Sequence, residues 1–289
     1  MKKNFVLLMC LIPSLCFAKI ERVETIDNGG TGDYKAIAVT ESTLKDYVIY
    51  RPKNIALAAE KEGPLAVMVF ANGGCNDTSF PFKRMLSEIA SKGYLVIALG
   101  SMQSSLDDRP LKKAPNEMMP KAVDWLASQQ MNEDSEYFQT VDINKIAFAG
   151  QSCGGAQLLA VAADPRIKTY MMFNSGMGDM SMAAASRSSL SSLHAPIIYL
   201  VGGESDIATS NAELDYDRIN HVPIAFANML DGGHSGTYES PYGGSFTRMA
   251  LKWLDWQLKQ KNKNSQVFLE NNLEEFDGWT MKAKHFIGS

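Results

Sequence analysis

The sequence has no clustered positive charge and no long apolar run, and each shortage excludes a class of protein. Its 28 Lys and Arg are outnumbered by 32 Asp and Glu. The short basic stretches, Lys112-Lys113 and Lys259–Lys263, are typical of solvated ends of helices or strands. Because nucleic acid binding requires a clustered basic face, we expect no nucleic acid partner.

The longest apolar run, Phe5 to Phe17, lies at the N-terminus and is too short to span a hydrocarbon layer of roughly 30 Å. Basic Met1-Lys2-Lys3 precedes it, and Cys16-Phe17-Ala18 ends it with a small residue. This order predicts a signal peptide over residues 1–18, in preference to a membrane anchor or a buried first strand. We therefore expect a secreted or periplasmic protein without a membrane span.

Strand-like and helix-like runs alternate from Leu65 onward. The alternation predicts an α/β fold with a mostly parallel central sheet and helices on both faces, in one domain over residues 19–262. Two leading strands, Glu21–Ile26 and Asp46–Arg51, are expected to be antiparallel. The tail, residues 263–289, is rich in apolar side chains and is expected to pack onto the domain. The later strands are predicted at Leu65–Phe70, Tyr94–Leu99, Lys145–Ala149, Thr169–Phe173, Ile197–Val201 and Ile224–Met229, and the helices at Phe80–Ser91, Glu117–Gln130, Gly154–Ala163 and Phe246–Lys259.

The clearest chemical signal is Gly150-Gln151-Ser152-Cys153-Gly154, a Gly-x-Ser-x-Gly pattern between a predicted strand and a predicted helix. Small residues on both sides of the Ser allow a tight, strained turn in which the strand and the helix approach closely. Such a turn lifts the Ser152 hydroxyl above the edge of the sheet. The pattern predicts a nucleophile, whereas a Gly-rich turn with an inert Ser is the alternative.

A second signal, Asn72-Gly73-Gly74-Cys75, follows the strand predicted at Leu65–Phe70. In a hydrolase with a strand–Ser–helix turn, one backbone N–H from this loop and one from the residue after the nucleophile form the oxyanion hole. We assign these two N–H groups to Gly74 and Cys153. An ordinary Gly turn is the alternative interpretation.

The order nucleophile, acid, His along the chain selects the remaining candidates. His234 stands in a Gly-rich loop after the last predicted strand, a setting that the other three of the four His lack. Asp206 follows the strand at Ile197–Val201 and is the preferred acid. Glu204 and Asp179 are the alternative acids.

These residues predict acyl transfer through a covalent intermediate. His234 accepts the proton of Ser152 as Ser152 attacks an acyl carbonyl, and Asp206 fixes the tautomer of the imidazole. The N–H groups of Gly74 and Cys153 hold the oxyanion, and water then releases the acyl group. This chemistry requires neither a metal ion nor a cofactor, and we expect none.

From Asp46 to Lys259 the chain resembles the α/β-hydrolase superfamily. Within it, the chain is similar to compact secreted bacterial and fungal esterases of the cutinase-like, chlorophyllase-like and platelet-activating-factor-acetylhydrolase-like kind. The resemblance implies an α/β-hydrolase fold and hydrolysis of a small-molecule or polymeric carboxylic ester. Many relatives have His-Gly where this chain has Asn72-Gly73, at a position that usually braces the loop. The matching stretches are Val69-Phe-Ala-Asn-Gly-Gly-Cys75, Gly150-Gln-Ser-Cys-Gly-Gly155, Gly202-Gly-Glu-Ser-Asp206 and Gly232-Gly-His234.

The resemblance also bears on the cysteines, because in this fold the loops of Cys75 and Cys153 face each other across the site. It implies a Cys75–Cys153 disulfide beside the oxyanion hole. Two of the four Cys lie in the predicted signal peptide, and an exported chain that keeps the other two favours one disulfide. Two buried free thiols are the alternative. A nucleophilic Cys153 is disfavoured, because the turn places Ser152 at its apex.

The segment Gly176–Ala195 is short, which leaves no room for a large lid and predicts a shallow site open to bulky or polymeric esters. Met177, Tyr238, Tyr242 and Trp279 are candidates for the substrate pocket. A peptidase or acyltransferase of the same fold is an alternative function. A catalytically silent binding protein is another, although such a protein has no need to keep all three reactive residues.

Overall fold

The computed structural model describes residues 19–286, which form a ten-stranded sheet, a small separate hairpin and helices on both faces of the sheet. The predicted signal peptide, residues 1–18, lies outside the described residues. The strands are β1 Ile20–Glu24, β2 Ala36–Glu41, β3 Leu44–Pro52, β4 Leu65–Ala71, β5 Tyr94–Leu99, β6 Val141–Gln151, β7 Ile167–Phe173, the hairpin β8 Ser181–Met182 and β9 Ala185–Ser186, β10 Ile197–Val201, β11 Ile224–Met229 and β12 Trp279–Lys284. The α-helices are α1 Ile55–Glu62, α2 Lys83–Ser91, α3 Met118–Gln130, α4 Cys153–Ala160, α5 Thr209–Arg218, α6 Gly244–Gln257 and α7 Ser265–Leu269.

Six neighbouring strands in the middle of the sheet are parallel, in the order β5-β4-β6-β7-β10-β11. Every residue of β4, β5 and β10 is buried, which explains their uninterrupted apolar runs, because helices cover both faces of a parallel sheet. The carboxyl ends of parallel strands lie at one edge, and ligand sites of open α/β sheets form there. The mostly parallel α/β fold expected from the sequence is confirmed.

The two faces of the sheet carry separate apolar cores. Helices α1, α3, α4 and α5 cover one face, and α2, α6 and α7 cover the other. Helix α6 packs Phe246, Trp253 and Leu254 fully inside the second core. Each such side chain contributes about 1.5–3 kcal/mol by leaving water, so α6 fixes the loop that precedes it and that returns to the site.

The N-terminal part differs from the prediction in one strand. The expected strands correspond to β1 and β3, but they do not pair with each other, because β2 lies between them and is antiparallel to both. Strand β3 continues antiparallel onto β5 and joins this extension to the parallel centre. Residues of β2 were assigned to no element because their apolar run is short and follows a Gly-rich stretch.

The C-terminal tail contributes α7 and the edge strand β12. Strand β12 is antiparallel to β11, with Met229 opposite Trp279 and Ile224 opposite Lys284. Helices α1 and α5 were not predicted, since each buries only two or three of its residues. Among the described residues, none of the helices is both long enough and apolar enough to cross a bilayer.

Candidate active site

Ser152 stands on a sharp turn between β6 and α4, in a backbone conformation with φ 53° and ψ −119°. A Cβ on Gly150 would lie 2.2 Å from the Gly154 carbonyl oxygen, and one on Gly154 would lie 2.2 Å from that of Ala71. Both distances are far shorter than real Cβ contacts, so glycine is required at both positions for the strand and the helix to approach. The backbone N–H of Ser152 donates to Phe173 in β7 at 2.9 Å, which fixes the turn on the sheet.

Three loops at the carboxyl edge bring Ser152, His234 and Asp206 together. His234 Nδ1 lies 2.7 Å from Asp206 Oδ1, and His234 Nε2 lies 2.9 Å from Ser152 Oγ. An ionised carboxylate only accepts hydrogen bonds, so Nδ1 carries the proton and donates. Nε2 of the neutral ring then accepts from the Ser152 hydroxyl, which is the arrangement that a general base needs.

Asp206 is buried and accepts four hydrogen bonds. Its Oδ1 accepts from His234 and from the Ala208 N–H, and its Oδ2 accepts from Asn174 Nδ2 at 2.7 Å and the Gly202 N–H at 2.9 Å. Burial by itself raises the pKa of Asp206. The hydrogen bonds, led by that of His234, together lower the pKa by more than burial raises it, so the net pKa lies below its usual value. The carboxylate is therefore negatively charged throughout the neutral pH range.

The alternative acids stand elsewhere. Asp179 is exposed and accepts from Arg218 Nη2 at 2.8 Å. Glu204 is exposed two residues before Asp206. Of the three carboxylates considered, Asp206 is the one in contact with His234.

Asn174 is a buried polar residue of the site that no sequence motif indicated. It follows β7, donates to Asp206 and to the Gly233 carbonyl oxygen at 2.9 Å, and accepts from the Tyr238 hydroxyl. Burial raises the pKa of Tyr238 well above its usual value, so this hydroxyl stays a donor. Asn174 thus ties the acid to the loop that carries His234, through contacts between residues far apart in sequence.

The loop after β4 lies beside Ser152. Gly74 has φ 62° and lines the cleft together with Ser152, and Cys153 is the first residue of α4. The first N–H groups of a helix have no intrahelical acceptor. Asn72 braces the loop, since its Nδ2 donates to the carbonyl oxygens of Asn76 at 2.9 Å and Leu99 at 2.6 Å, and so fills the place where many relatives have His.

Cys75 and Cys153 form a disulfide, with Cα atoms 5.0 Å apart. The expected pairing is therefore confirmed, and the alternative of two free thiols is wrong. The bond joins the loop after β4 to the first residue of α4. It connects the two segments that carry the candidate oxyanion N–H groups.

Two pockets open on either side of Ser152 and His234. The first has a volume of about 440 Å³ and includes Phe82 and Tyr238 in its wall. The second has a volume of about 300 Å³ and includes Met177. Both fall near the lower end of the range for small-molecule sites.

Two of the candidate pocket residues lie in neither of these pockets. Trp279 is buried on β12, where its Nε1 donates to Ser245 Oγ at 2.8 Å and its ring packs on Phe246. Tyr242 stands in a turn before α6 and its backbone N–H donates to Asp27 Oδ2. The packing of Trp279 supports the fold near the site, and a substrate contact of either aromatic residue stays a prediction.

Two further residues of the pockets, and one that supports a pocket wall, were not predicted from the sequence. Gln151 lines the first pocket, and its Nε2 donates to the His234 carbonyl oxygen at 3.0 Å. Ile207 lines the second pocket and is 76% exposed. Asp215 in α5 accepts from the N–H groups of Met177 at 2.6 Å and Gly178 at 2.9 Å, and burial raises its pKa. The position of Gln151 before the nucleophile was the one signal that could have indicated a site residue.

The comparison with known families decides the classification. The PETase family, described as PET hydrolase-like, matches residues 37–283. The chain belongs to this family. The match extends from β2 to β12 and thus includes both the parallel sheet and the C-terminal strand. The family is one of α/β-hydrolases, so the chain is a carboxylic-ester hydrolase. A search of curated proteins found no match to the chain.

Proposed function

We propose that this PETase-family protein is an exported serine esterase that acts on bulky or polymeric esters through Ser152, His234 and Asp206. The observation that carries the proposal is the continuous chain of hydrogen bonds from Ser152 Oγ through the His234 ring to Asp206, at 2.9 and 2.7 Å. Those distances are within the reach required for a nucleophile and its base.

The reaction follows from this geometry. His234 Nε2 takes the hydroxyl proton as Ser152 Oγ bonds to the acyl carbon. The negative charge that develops on the carbonyl oxygen is stabilised by the N–H groups of Gly74 and Cys153. His234 then returns the proton to the leaving alcohol oxygen, and a water molecule deprotonated by His234 releases the acid from Ser152.

The substrate proposal is supported by the exposed apolar side chains around the cleft. Leu106 and Leu111 line the first pocket, and Met180, Met182 and Ile207 line the second. All five are exposed, although side chains of this kind are usually buried. Such a rim suits an ester whose apolar groups extend on both sides of the scissile bond, as in a polyester chain.

Export is supported by the signal-like residues 1–18 and by the Cys75–Cys153 disulfide, because disulfides persist in oxidising compartments. A peptidase or acyltransferase shares the same reactive residues, and a silent binding protein shares the fold. Rates on p-nitrophenyl esters and on aminoacyl anilides separate these functions. Ester turnover without anilide turnover supports the proposal, whereas preferential anilide turnover contradicts it.

Met180→Gln is expected to reduce activity more strongly as the acyl group lengthens. Met180 is 43% exposed in the second pocket, and a polar amide there stabilises apolar acyl groups less well. With about 0.8 kcal/mol for each buried methylene, we expect kcat/KM for p-nitrophenyl octanoate to fall about fivefold relative to that for the acetate.

Met131→Gln is the matched control, because Met131 is 78% exposed and stands at the end of α3, outside both pockets. It should leave the octanoate-to-acetate ratio at the wild-type value. An unchanged ratio in Met180→Gln, or an equal change in both variants, contradicts an apolar acyl site at the second pocket.

A further inference from the structure

The segment Lys112–Ala114 lies along the loop that carries Gly74. The Asp77 N–H donates to the Lys112 carbonyl oxygen at 2.9 Å, and the Ala114 N–H donates to that of Cys75 at 2.8 Å. Residues Asn76 and Lys113 form an antiparallel bridge between these contacts. These contacts form a short antiparallel pairing that supports the loop.

The same segment is also attached to the helix that follows Ser152. Gln157 of α4 is buried, and its Nε2 donates to the Ala114 carbonyl oxygen at 2.5 Å. The segment thus connects the two elements that carry the candidate oxyanion N–H groups, independently of the disulfide.

The Lys113 side chain contacts the loop that carries Gly74 directly. Its Nζ donates to the Gly74 carbonyl oxygen at 2.5 Å and to Asn76 Oδ1 at 3.3 Å. Over residues 19–286, none of the carboxylates forms an ion pair with Lys113. Its ammonium group is therefore directed at the Gly74 carbonyl oxygen and is not paired with a neighbouring acid.

This contact matters because Gly74 has φ 62°, in a region where glycine interconverts readily with other conformations. An ammonium hydrogen-bonded to the carbonyl oxygen restrains that residue and thereby the direction of its N–H.

We propose that Lys113 is a positioning residue of the oxyanion hole, which holds the backbone conformation of Gly74 through its carbonyl oxygen. The inference rests on the proposed function, since it assumes that Gly74 donates to the oxyanion. The proposal gives Lys113 a role that Lys112 lacks, although both residues were expected to be solvated at the end of a helix or strand. The Lys112 side chain makes no hydrogen bond or ion pair within the described part of the chain, so Lys112 provides the matched control.

The test compares Lys113→Met, Lys113→Arg and Lys112→Met with the wild type on p-nitrophenyl butyrate. Lys113→Met should lower kcat about fivefold with KM unchanged, a modest loss for a charge-assisted hydrogen bond because Lys113 is exposed to solvent. Lys113→Arg should recover most of kcat, and Lys112→Met should match the wild type.

A second measurement separates positioning from general damage. Phenylboronic acid accepts Ser152 Oγ at boron while the hydroxyl proton moves to His234, which gives a tetrahedral anion that resembles the transition state. Its inhibition constant should rise in Lys113→Met by the same factor as kcat falls, with an unchanged melting temperature.

Several outcomes overturn the proposal. They are a wild-type kcat in Lys113→Met, an equal loss in Lys112→Met, or a rise of KM instead of a fall of kcat. Ser152→Ala is measured in the same assay. If Ser152→Ala retains activity, the proposed function itself is wrong, whereas loss in Ser152→Ala with full activity in Lys113→Met refutes the role of Lys113 alone.

Discussion

Asp206→Asn is expected to lower kcat by about 10⁴-fold, because the amide cannot hold the His234 ring in the tautomer that accepts the Ser152 proton. It should also lower the melting temperature. Each oxygen of Asp206 accepts two hydrogen bonds, from His234 and Ala208 at Oδ1 and from Asn174 and Gly202 at Oδ2. In Asp206→Asn, an NH₂ group replaces one of these two oxygens and cannot accept from the two donors that face it. A buried donor left unpaired costs about 1–3 kcal/mol.

The control for this variant is Glu204→Gln, which removes an exposed carboxylate from the same loop. Steady-state kinetics on p-nitrophenyl butyrate and a thermal melt are recorded for Asp206→Asn, Glu204→Gln and Asp179→Asn. We expect Glu204→Gln to behave as the wild type. A loss in Asp179→Asn that equals or exceeds the loss in Asp206→Asn would assign the acid to Asp179 and contradict the account.

Removal of the disulfide, in the double variant Cys75→Ala/Cys153→Ala, is expected to lower both stability and kcat. The two cysteines are separated by 78 positions, and closing a loop of that length stabilises the folded chain by up to about 4.5 kcal/mol in the chain-entropy account. With about 2.1 cal/mol/K of unfolding entropy per residue, this corresponds to a melting temperature lower by up to about 8 °C.

The fall in kcat should exceed any change in KM, because the bond joins the two segments that carry the oxyanion donors. Differential scanning calorimetry with and without a phosphine reductant provides the control. Reductant should lower the melting temperature of the wild type and leave that of the double variant unchanged. Equal melting temperatures of the wild type and the double variant without reductant would show that the disulfide does not stabilise the fold.

The parallel centre of the sheet was predictable because its signals are local. Three strands, Tyr94–Leu99, Ile197–Val201 and Ile224–Met229, begin and end where the apolar runs predicted. Strand β12 was missed although Trp279–Lys284 alternates apolar and polar residues, as a strand with one buried face does. Six residues in a tail after the last predicted helix give no indication that they return to pair with β11. Helix α5 was missed because its sequence is mostly polar, with Ala212, Asp215 and Tyr216 buried.

In the candidate site too, local motifs were predictable from the sequence and long-range contacts were not. The residues in motifs with fixed spacing, Ser152 above all, could be named from the sequence, since a strand, a turn and a helix are contiguous there. Asn174 and Lys113 could not, because the contacts that give them a role join residues 32 and 39 positions apart. Trp279 lines neither pocket beside Ser152, and an aromatic residue in a tail gives no indication of which side of the sheet edge it packs on.

The central claim is that Ser152 is the nucleophile, and covalent labelling tests it most directly. The protein is treated with a fluorophosphonate, digested, and analysed by mass spectrometry for the modified residue, in parallel with Ser152→Ala. We predict a single adduct on the peptide that contains Ser152, loss of ester hydrolysis in proportion to labelling, and neither labelling nor hydrolysis in Ser152→Ala. Undiminished labelling or hydrolysis in Ser152→Ala, or an active protein that is not labelled, would contradict the account.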